Sequence, residues 1–207
     1  MHKKLFGALL LASTCGTAHA NLISNGDFES GDFTAWNNTG NLATNSQAQL
    51  LAGVGATGNL PSGTFLVNFN GANLPATGVL SQEFATVLNG NYQLDFDFGR
   101  LGTGAGGPPS LDVEIRDVLS NSVLFNTTVT DATGTIHLPD LLDPFGFAFV
   151  ATGTSTRLTF TDTSGGTFET DGVLDNVSVN AVPLPSAAWL MLSSCVLLAR
   201  KRISKSV

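Results

Sequence analysis

Apolar and polar residues alternate along short runs in the middle of the chain. In residues 92–98, Leu94 and Phe96 fall on one face of an extended segment, and Asp95 and Asp97 fall on the other. The same alternation predicts strands over residues 65–69, 79–87, 111–116, 123–129, 145–150, 157–160 and 173–179. Clusters of Gly, Asn, Asp, Ser and Pro separate the runs, and no helical periodicity is visible. About nine or ten such strands predict an all-β fold, an antiparallel β-sandwich of jelly-roll type.

The N-terminal residues 1–20 have the three parts of a secretory signal peptide. Lys3 and Lys4 precede an apolar run, and Ala18 and Ala20 supply small side chains at the two positions that a signal peptidase inspects. The segment therefore predicts export by a Sec-type pathway with cleavage after Ala20. Residues 21–182 are then the exported domain.

The C-terminal residues 183–207 also have three parts. From Val182 the chain carries 18 uncharged residues, about 27 Å as a helix, which is just short of a hydrocarbon core of about 30 Å. We expect one transmembrane helix over about residues 186–199, with the basic end in the cytoplasm and the domain outside. The flanking motif and the basic cluster are Val182, Pro183, Leu184 and Pro185, and Arg200, Lys201 and Arg202.

This tail resembles the PEP-CTERM sorting signal of Gram-negative bacteria, in a form with Val-Pro-Leu-Pro in place of Pro-Glu-Pro. The resemblance implies recognition by an exosortase, a membrane-embedded cysteine transpeptidase-like enzyme. Release or transfer to the surface or extracellular matrix of an exopolysaccharide-producing, biofilm-forming bacterium would follow. A permanent single-span membrane anchor is the alternative.

Charge and cysteine content exclude several functions for residues 21–182. All 16 acidic residues lie there against three arginines, and three minus sixteen leaves a net charge near −13. Such a surface repels phosphate backbones, so we expect no nucleic-acid partner. Cys15 and Cys195 lie outside these residues, which excludes a disulfide or a thiolate metal site within them. The glycine-rich residues 99–109 lead to no helix, so we predict a hairpin loop and not a phosphate-binding loop.

The exported domain opens with Asn-Leu-Ile-Ser-Asn-Gly-Asp-Phe-Glu at residues 21–29, followed by Trp36, and closes with Leu-Asp-Asn-Val-Ser-Val at residues 174–179. Both motifs resemble those of galactose-binding-like jelly rolls, which include several carbohydrate-binding modules. In that fold the first and last strands lie close together, and a structural calcium commonly bridges a Glu early in the domain and an Asp late in it.

Carried onto this sequence, the resemblance nominates Glu29 and Asp175 as calcium ligands, with oxygens near Asp27. Asp162 and Asp171 are weaker candidates. Calcium takes six to eight oxygen ligands, and a strongly acidic domain gains from a bound cation. The alternative is that these are turn or edge carboxylates with ordinary hydrogen bonds.

Catalytic motifs are sparse. Four carboxylates on two strands that are neighbours in sequence would share one sheet face, and a pair of carboxylates is what glycoside hydrolysis needs. They are Asp95, Asp97, Asp112 and Glu114. A solvated sheet face, balanced by Arg116 and Arg157, is the simpler interpretation. His137 is the single histidine of residues 21–182, and we expect it in a loop or at a strand end.

Sugar sites usually stack a flat aromatic ring on a sugar face. Residues 21–182 hold one Trp and one Tyr, Trp36 and Tyr92, and the phenylalanines fall at alternating strand positions that predict core packing. Trp36 is either a core residue or a sugar platform. We predict a non-enzymatic surface or matrix protein that associates with exopolysaccharide. A surface-displayed glycan-active hydrolase and a structural coat protein without a sugar ligand are the alternatives.

Overall fold

Ten strands and one short helix make up the part of the chain that a computed structural model describes, residues 20–53, 63–70, 75–102, 107–131, 142–165 and 170–183. They are β1 (Asn37–Thr39), β2 (Leu42–Ser46), α1 (Gln47–Gly53), β3 (Phe65–Phe69), β4 (Val79–Ala85), β5 (Asn91–Leu101), β6 (Ser110–Asp117), β7 (Val123–Thr130), β8 (Leu142–Val150), β9 (Ser155–Asp162) and β10 (Asp171–Ala181). Residues 20–182 form one compact unit.

The strands form two five-stranded antiparallel sheets. The first sheet has the order β1-β4-β9-β6-β7, and the second sheet has the order β2-β3-β10-β5-β8. Antiparallel pairing holds for every neighbouring pair, for example Leu111 with Asp162 and Leu101 with Asp171. The prediction of an all-β antiparallel sandwich is confirmed.

The core lies between the two sheets, where the alternating apolar side chains meet. Along β5, Leu94, Phe96 and Phe98 are at most 1% exposed, as the alternation predicts. Phe96 packs edge-on against Phe160 of the opposite sheet with ring centroids 5.1 Å apart. Such aromatic contacts add about 0.5–1.5 kcal/mol beyond the area they bury, and they join the two sheets.

Several details differ from the sequence-based expectation. The strands β1 and β2 were not among the predicted strands. The helix α1 was not predicted, although Ser46 and Gln49 form a capping box: Ser46 N donates to Gln49 Oε1 at 3.1 Å and Gln49 N to Ser46 Oγ at 3.3 Å. The expected hairpin loop over residues 99–109 is wrong in two respects. Its first residues belong to β5, and the segment passes from the second sheet to the first.

The four carboxylates do not share a sheet face, so that expectation is also wrong. Asp95 and Asp97 lie on the outer face of the second sheet, and Asp112 and Glu114 lie on the outer face of the first. Alternation fixes whether a side chain points inward or outward, but it does not fix which sheet a strand joins.

The predicted signal peptide up to residue 19, the tail from Leu184 and His137 lie outside the described residues. Ala20, Val182 and Pro183 are described and are exposed. Within the described ranges, no helix is long and apolar enough to cross a membrane.

Candidate ligand groove where the two ends of the domain meet

The opening segment lies beside the last strand. β3 pairs with β10 over Gly172 to Leu174, and beyond that point the opening segment takes its place. Leu22 N donates to Val179 O at 2.9 Å, and Val177 N donates to the carbonyl oxygen of Gly26 at 2.8 Å. The sequence-based expectation that the opening and closing motifs lie together agrees with this geometry.

Gly26 allows this close approach. A Cβ at position 26 would lie 2.0 Å from the carbonyl oxygen of Val177, a distance that no real Cβ tolerates. Glycine is the residue that permits backbone to approach backbone so closely. The fold therefore requires glycine at position 26 of the opening motif.

Two asparagines fix the shape of the opening segment. Asn21 Oδ1 accepts from Val179 N at 2.9 Å, and Asn21 Nδ2 donates to Val177 O at 3.3 Å. Asn25, at a φ of 50°, donates from Nδ2 to the carbonyl of Thr34 at 3.2 Å. Asparagine tolerates this left-handed conformation better than most residues because its side chain bonds locally.

β10 contains a bulge next to this segment. Asp175 pairs with Asp97 and Ser178 pairs with Asp95, so that Asn176 and Val177 together face one residue of β5. Asn176 has a φ of 53°, is exposed, and donates from Nδ2 to Asp97 Oδ2 at 2.7 Å. A bulge bends its strand and redirects side chains, and here it brings Asn176 to the outer surface.

The opening segment and the bulge enclose a groove of about 290 Å³. It is lined by Asn21, Ile23, Asn25, Gly26, Asp27, Asn176, Val177 and Ser178. Amide, carboxylate and hydroxyl groups dominate this lining, and Asp27 and Asn176 are exposed to solvent. Such groups both donate and accept hydrogen bonds, which suits a ligand rich in hydroxyl groups.

The sequence-based analysis nominated Asp27 for calcium and not for a ligand groove, and it did not nominate Asn176 or Ser178. A signal for the bulge was present. The apolar residues Leu174, Val177 and Val179 are spaced by three and then by two, and this break in the period of two marks an extra residue in the strand.

The residues nominated for calcium occupy two places. Glu29 Oε1 accepts from Thr64 N at 2.6 Å and from Phe65 N at 2.9 Å, at the start of β3. Asp175 is 1% exposed and its Oδ1 accepts from Asn176 N at 2.7 Å. It follows Leu174, whose partner in β3 is Val67. Both carboxylates therefore adjoin the first half of β3, whereas Asp27 lines the groove.

Glu29 and Asp175 offer the carboxylate oxygens that calcium takes, and both already accept backbone hydrogen bonds. A Cβ at Gly63 would lie 2.0 Å from Glu29 Oε1, so a glycine with a φ of 42° makes room for this carboxylate against the backbone. Among the described residues, no group of three or more His, Cys, Asp or Glu side chains is clustered, so backbone carbonyls would have to complete the coordination.

The outer face of the first sheet is an ion-paired polar surface. Arg116 Nη2 lies 2.6 Å from Glu114 Oε2, and this hydrogen-bonded guanidinium lowers the pKa of Glu114. Asn126 Nδ2 donates to Asp112 Oδ2 at 3.0 Å. A glycosidase acid needs a raised pKa in an apolar pocket, and Glu114 has the opposite shift.

The pKa of Asp171, at the start of β10, is raised. Burial is the main cause, with a smaller contribution from the charge of Asp162, while the hydrogen bond from Asn68 Nδ2 at 3.2 Å opposes the shift. Asp171, at the start of β10, and Asp162, at the end of β9, do not line the groove.

The Trp and the Tyr of the domain are both core residues. Trp36 is 6% exposed, its ring lies 5.6 Å from that of Phe28, and its Nε1 donates to Asn25 O at 2.9 Å. Tyr92 is 4% exposed, stacks on Phe149 and accepts a hydrogen bond from Val87 N at 2.8 Å. Of the two interpretations of Trp36, the core residue is confirmed.

The fold is that of the carbohydrate-binding modules. A family 61 module solved with β-1,4-galactotriose has 16% identity and a TM-score of 0.56, with 79% of this chain and 99% of that chain covered. The family 22 xylan-binding domain from Paenibacillus barcinonensis has 16% identity and a TM-score of 0.50, with 81% and 98% covered. A family 16 module has 17% identity and a TM-score of 0.51, with 77% and 99% covered.

Matches to enzymes are partial. An α-L-arabinofuranosidase has a TM-score of 0.53 at 11% identity, but the match covers only 27% of that chain. The sequence itself matches no protein-family model and none of the curated proteins. The likeness is therefore one of fold. The three modules match over 98–99% of their own length, whereas the arabinofuranosidase matches over 27% of its length.

Proposed function

We propose that the protein is an exported, non-enzymatic glycan-binding protein of the cell surface or extracellular matrix, associated with exopolysaccharide. The observation that carries the proposal is the groove where the opening segment meets the bulge of β10. Asp27, Asn176 and Ser178 present a carboxylate, an amide and a hydroxyl to it. These groups complement the closely spaced donors and acceptors of a sugar. The carbohydrate-binding modules of the same fold support this choice of ligand class.

The absence of an assembled acid–base pair favours binding over hydrolysis. Asp95 and Asp97 lie on one outer face of the sandwich, and Asp112 and Glu114 lie on the other. Glu114 is held by Arg116 in a bidentate pair, and Asp112 accepts two hydrogen bonds from Asn126. Asp171, whose pKa is raised mainly by burial, is not one of these four carboxylates.

Export and sorting belong to the same proposal. The charge and apolar pattern of residues 1–20 supports secretion, and the Val-Pro-Leu-Pro motif, apolar stretch and basic cluster at the end of the chain support sorting by an exosortase-type enzyme. A protein that binds glycan at the outer surface needs such a route. If a Pro183→Ala/Pro185→Ala double variant and the wild type are retained equally in the membrane fraction, the sorting part of the proposal is contradicted.

Calcium is proposed as a structural component. Glu29 and Asp175 would hold the ion between the opening segment and the second sheet, with backbone carbonyls as further ligands. When bound, the ion would supply charge neutralisation to a domain whose net charge is near −13.

The test is co-sedimentation of the full chain, in mild detergent, with the exopolysaccharide of the native host, in calcium and in chelator. Wild-type protein is expected to sediment with the polysaccharide. Asp27→Asn, which changes the groove, should weaken uptake at least fivefold, about 1 kcal/mol. Asp112→Asn removes the same charge from the opposite face and should leave uptake unchanged. Absence of wild-type uptake in both conditions would overturn the binding function and favour a coat protein without a sugar ligand.

A further inference from the structure

Three phenylalanines lie along the opening between the edge strands of the two sheets. β7 ends the first sheet and β8 ends the second, and the two strands approach each other. Phe125 of β7 and Phe147 of β8 meet across the opening with ring centroids 4.9 Å apart. Phe145 lies two residues before Phe147 on the same side of β8. We call Phe125, Phe145 and Phe147 the edge strip.

The rings of the edge strip rest on a buried ring. Phe96, 1% exposed, stacks on Phe145 at 5.5 Å and contacts Phe147 at 6.1 Å. All three rings of the strip remain partly exposed. Within the part of the chain that the structure describes, Phe125 and Phe147 are the one pair of contacting aromatic rings in which both are partly exposed. Trp36 and Tyr92 are buried, so the aromatic rings that can meet a ligand are partly exposed phenylalanines. Phe33 and Phe65 are partly exposed as well, but in the described residues only the strip brings such rings into contact with each other.

Polar backbone lies on both sides of the strip. In the described residues β7 pairs only with β6, and β8 pairs only with β5. Each edge strand therefore presents a row of N–H and C=O groups toward the opening. Thr127, two residues after Phe125, adds a partly exposed hydroxyl on the same side of β7. An apolar floor between rows of donors and acceptors matches a pyranose ring, which has apolar C–H faces and a rim of hydroxyl groups.

The strip is uncharged. β7 has the sequence Val-Leu-Phe-Asn-Thr-Thr-Val-Thr and holds no ionisable side chain, and β8 holds only Asp143 near its start. The domain as a whole is near −13, which opposes the approach of a polyanion. Electrostatics therefore favour a neutral polysaccharide at this position over an acidic one.

We propose that the edge strip is a sugar-stacking subsite for a neutral polysaccharide, separate from the groove at the bulge of β10. The subsite rests on the proposed glycan-binding function and names the class of ligand and the rings that contact it. The groove then supplies hydrogen bonds to one part of the glycan, and the strip supplies apolar contact to another.

The experiment is affinity electrophoresis of the full chain, in mild detergent, in gels that contain soluble β-1,4-galactan or xylan, with polygalacturonate as the acidic comparison. Phe147→Leu keeps an apolar side chain of similar volume but removes the ring, and Phe125→Leu does the same on the other strand. Val123→Ala and Val150→Ala change apolar side chains of β7 and β8 that are 48% and 49% exposed, and both serve as controls. Thermal unfolding of every variant checks that the fold is kept.

The wild type and both valine variants should migrate more slowly in gels with a neutral polysaccharide. Polygalacturonate should slow their migration much less. Each leucine variant should bind at least tenfold more weakly, about 1.4 kcal/mol. Retardation of Phe147→Leu and Phe125→Leu equal to that of the wild type would overturn the subsite and leave the glycan-binding function standing. Stronger binding to polygalacturonate would overturn the assignment to neutral glycans. No retardation of the wild type in any gel would contradict the glycan-binding function, and the subsite with it.

Self-association is the other use that such an edge could have. If sedimentation velocity shows a wild-type dimer that Phe147→Leu abolishes, while glycan binding is unchanged, the strip is an interface between two copies. That result would also overturn the subsite.

Discussion

Val177 donates its backbone N–H to the carbonyl of Gly26 at 2.8 Å, and this bond closes the last strand onto the first residues of the domain. We predict that Gly26→Ala unfolds at a clearly lower temperature than the wild type, because its Cβ would lie 2.0 Å from Val177 O and one backbone must move. Clashes of this kind cost about 1–3 kcal/mol or more. Thermal denaturation followed by circular dichroism measures the change.

Gly165→Ala is the matched control for this prediction. Nothing lies within 4 Å of a Cβ at position 165, so the midpoint should change by less than about 2 °C. Equal midpoints for Gly26→Ala and the wild type would show that the opening segment is not held in place by this contact.

Trp36 should contribute to stability and not to binding. Trp36→Ala removes a core ring that packs on Phe28 and Phe160, and should lower the free energy of unfolding by about 3–5 kcal/mol. Trp36→Phe keeps an aromatic ring but loses the hydrogen bond to Asn25 O, and should lose about 1–2 kcal/mol. Urea denaturation measures both values. A Trp36→Phe variant as stable as the wild type would contradict a stabilising role of this hydrogen bond.

Asp171 should make the fold less stable as the pH rises. Its pKa is raised in the folded protein by burial, so the favourable state is the protonated one. The stability that the protonated carboxyl contributes is fully present below the unfolded pKa of about 3.9, and it is lost as the pH rises through the folded pKa. Asp171→Asn should therefore raise the melting temperature at pH 7, and the gain should disappear below about pH 4. If Asp171→Asn melts at a lower temperature than the wild type at pH 7, the expected direction of the pH dependence is wrong.

Asp117 is a control, because its carboxyl should make the fold more stable as the pH rises. Hydrogen bonds from the Ser120 hydroxyl and N–H, at 2.6 and 2.7 Å, lower its pKa. Its stabilising contribution is present above the unfolded pKa and is lost as the pH falls through the folded pKa. Asp117→Asn should therefore lower the melting temperature at pH 7 and approach the wild type in acid. Melting curves of both variants from pH 3 to 8, about the range in which carboxyl groups titrate, compare the two signs directly.

Calcium should raise the melting temperature of the full chain, and a chelator should reverse the rise. A ligand that binds only the folded state at 100 times its dissociation constant adds about 2.7 kcal/mol. Glu29→Gln should abolish the calcium response, whereas Glu83→Gln, which alters an exposed carboxylate paired with Arg157, should keep it. Isothermal titration with calcium alone provides a second readout. A full response in Glu29→Gln would exclude this carboxylate as a ligand.

The sequence predicted the strands well where one face is buried. The alternation in β5 and β6 placed Leu94, Phe96 and Ile115 inward, because burial of one side of a strand requires this period. Alternation could not show that Asp97 and Asp112 belong to different sheets, because sheet membership depends on long-range pairing. For the same reason it predicted Phe145 and Phe147 as core residues but could not show that β8 is an edge strand.

The candidate groove was only partly predictable. The resemblance of the opening and closing motifs placed the ends of the domain together, but it nominated Asp27 for calcium and not for a groove. The positions of Asn176 and Ser178 depend on the bulge, which follows from how β10 must pair with β5 on one side and with Gly26 on the other. Pairing on two sides at once is a property of the assembled sheet and not of the local sequence.

The hydrogen bonds of Leu22 and Val182 have a further consequence. Leu22 N bonds to Val179 O, and three residues later Val182 N bonds to Asn91 O, so the polypeptide enters and leaves the sandwich beside the same end of β10. A unit with neighbouring ends can be transplanted into a surface turn of an unrelated host protein without stretching that host. We therefore expect that the sandwich can be inserted into another protein as a folded unit.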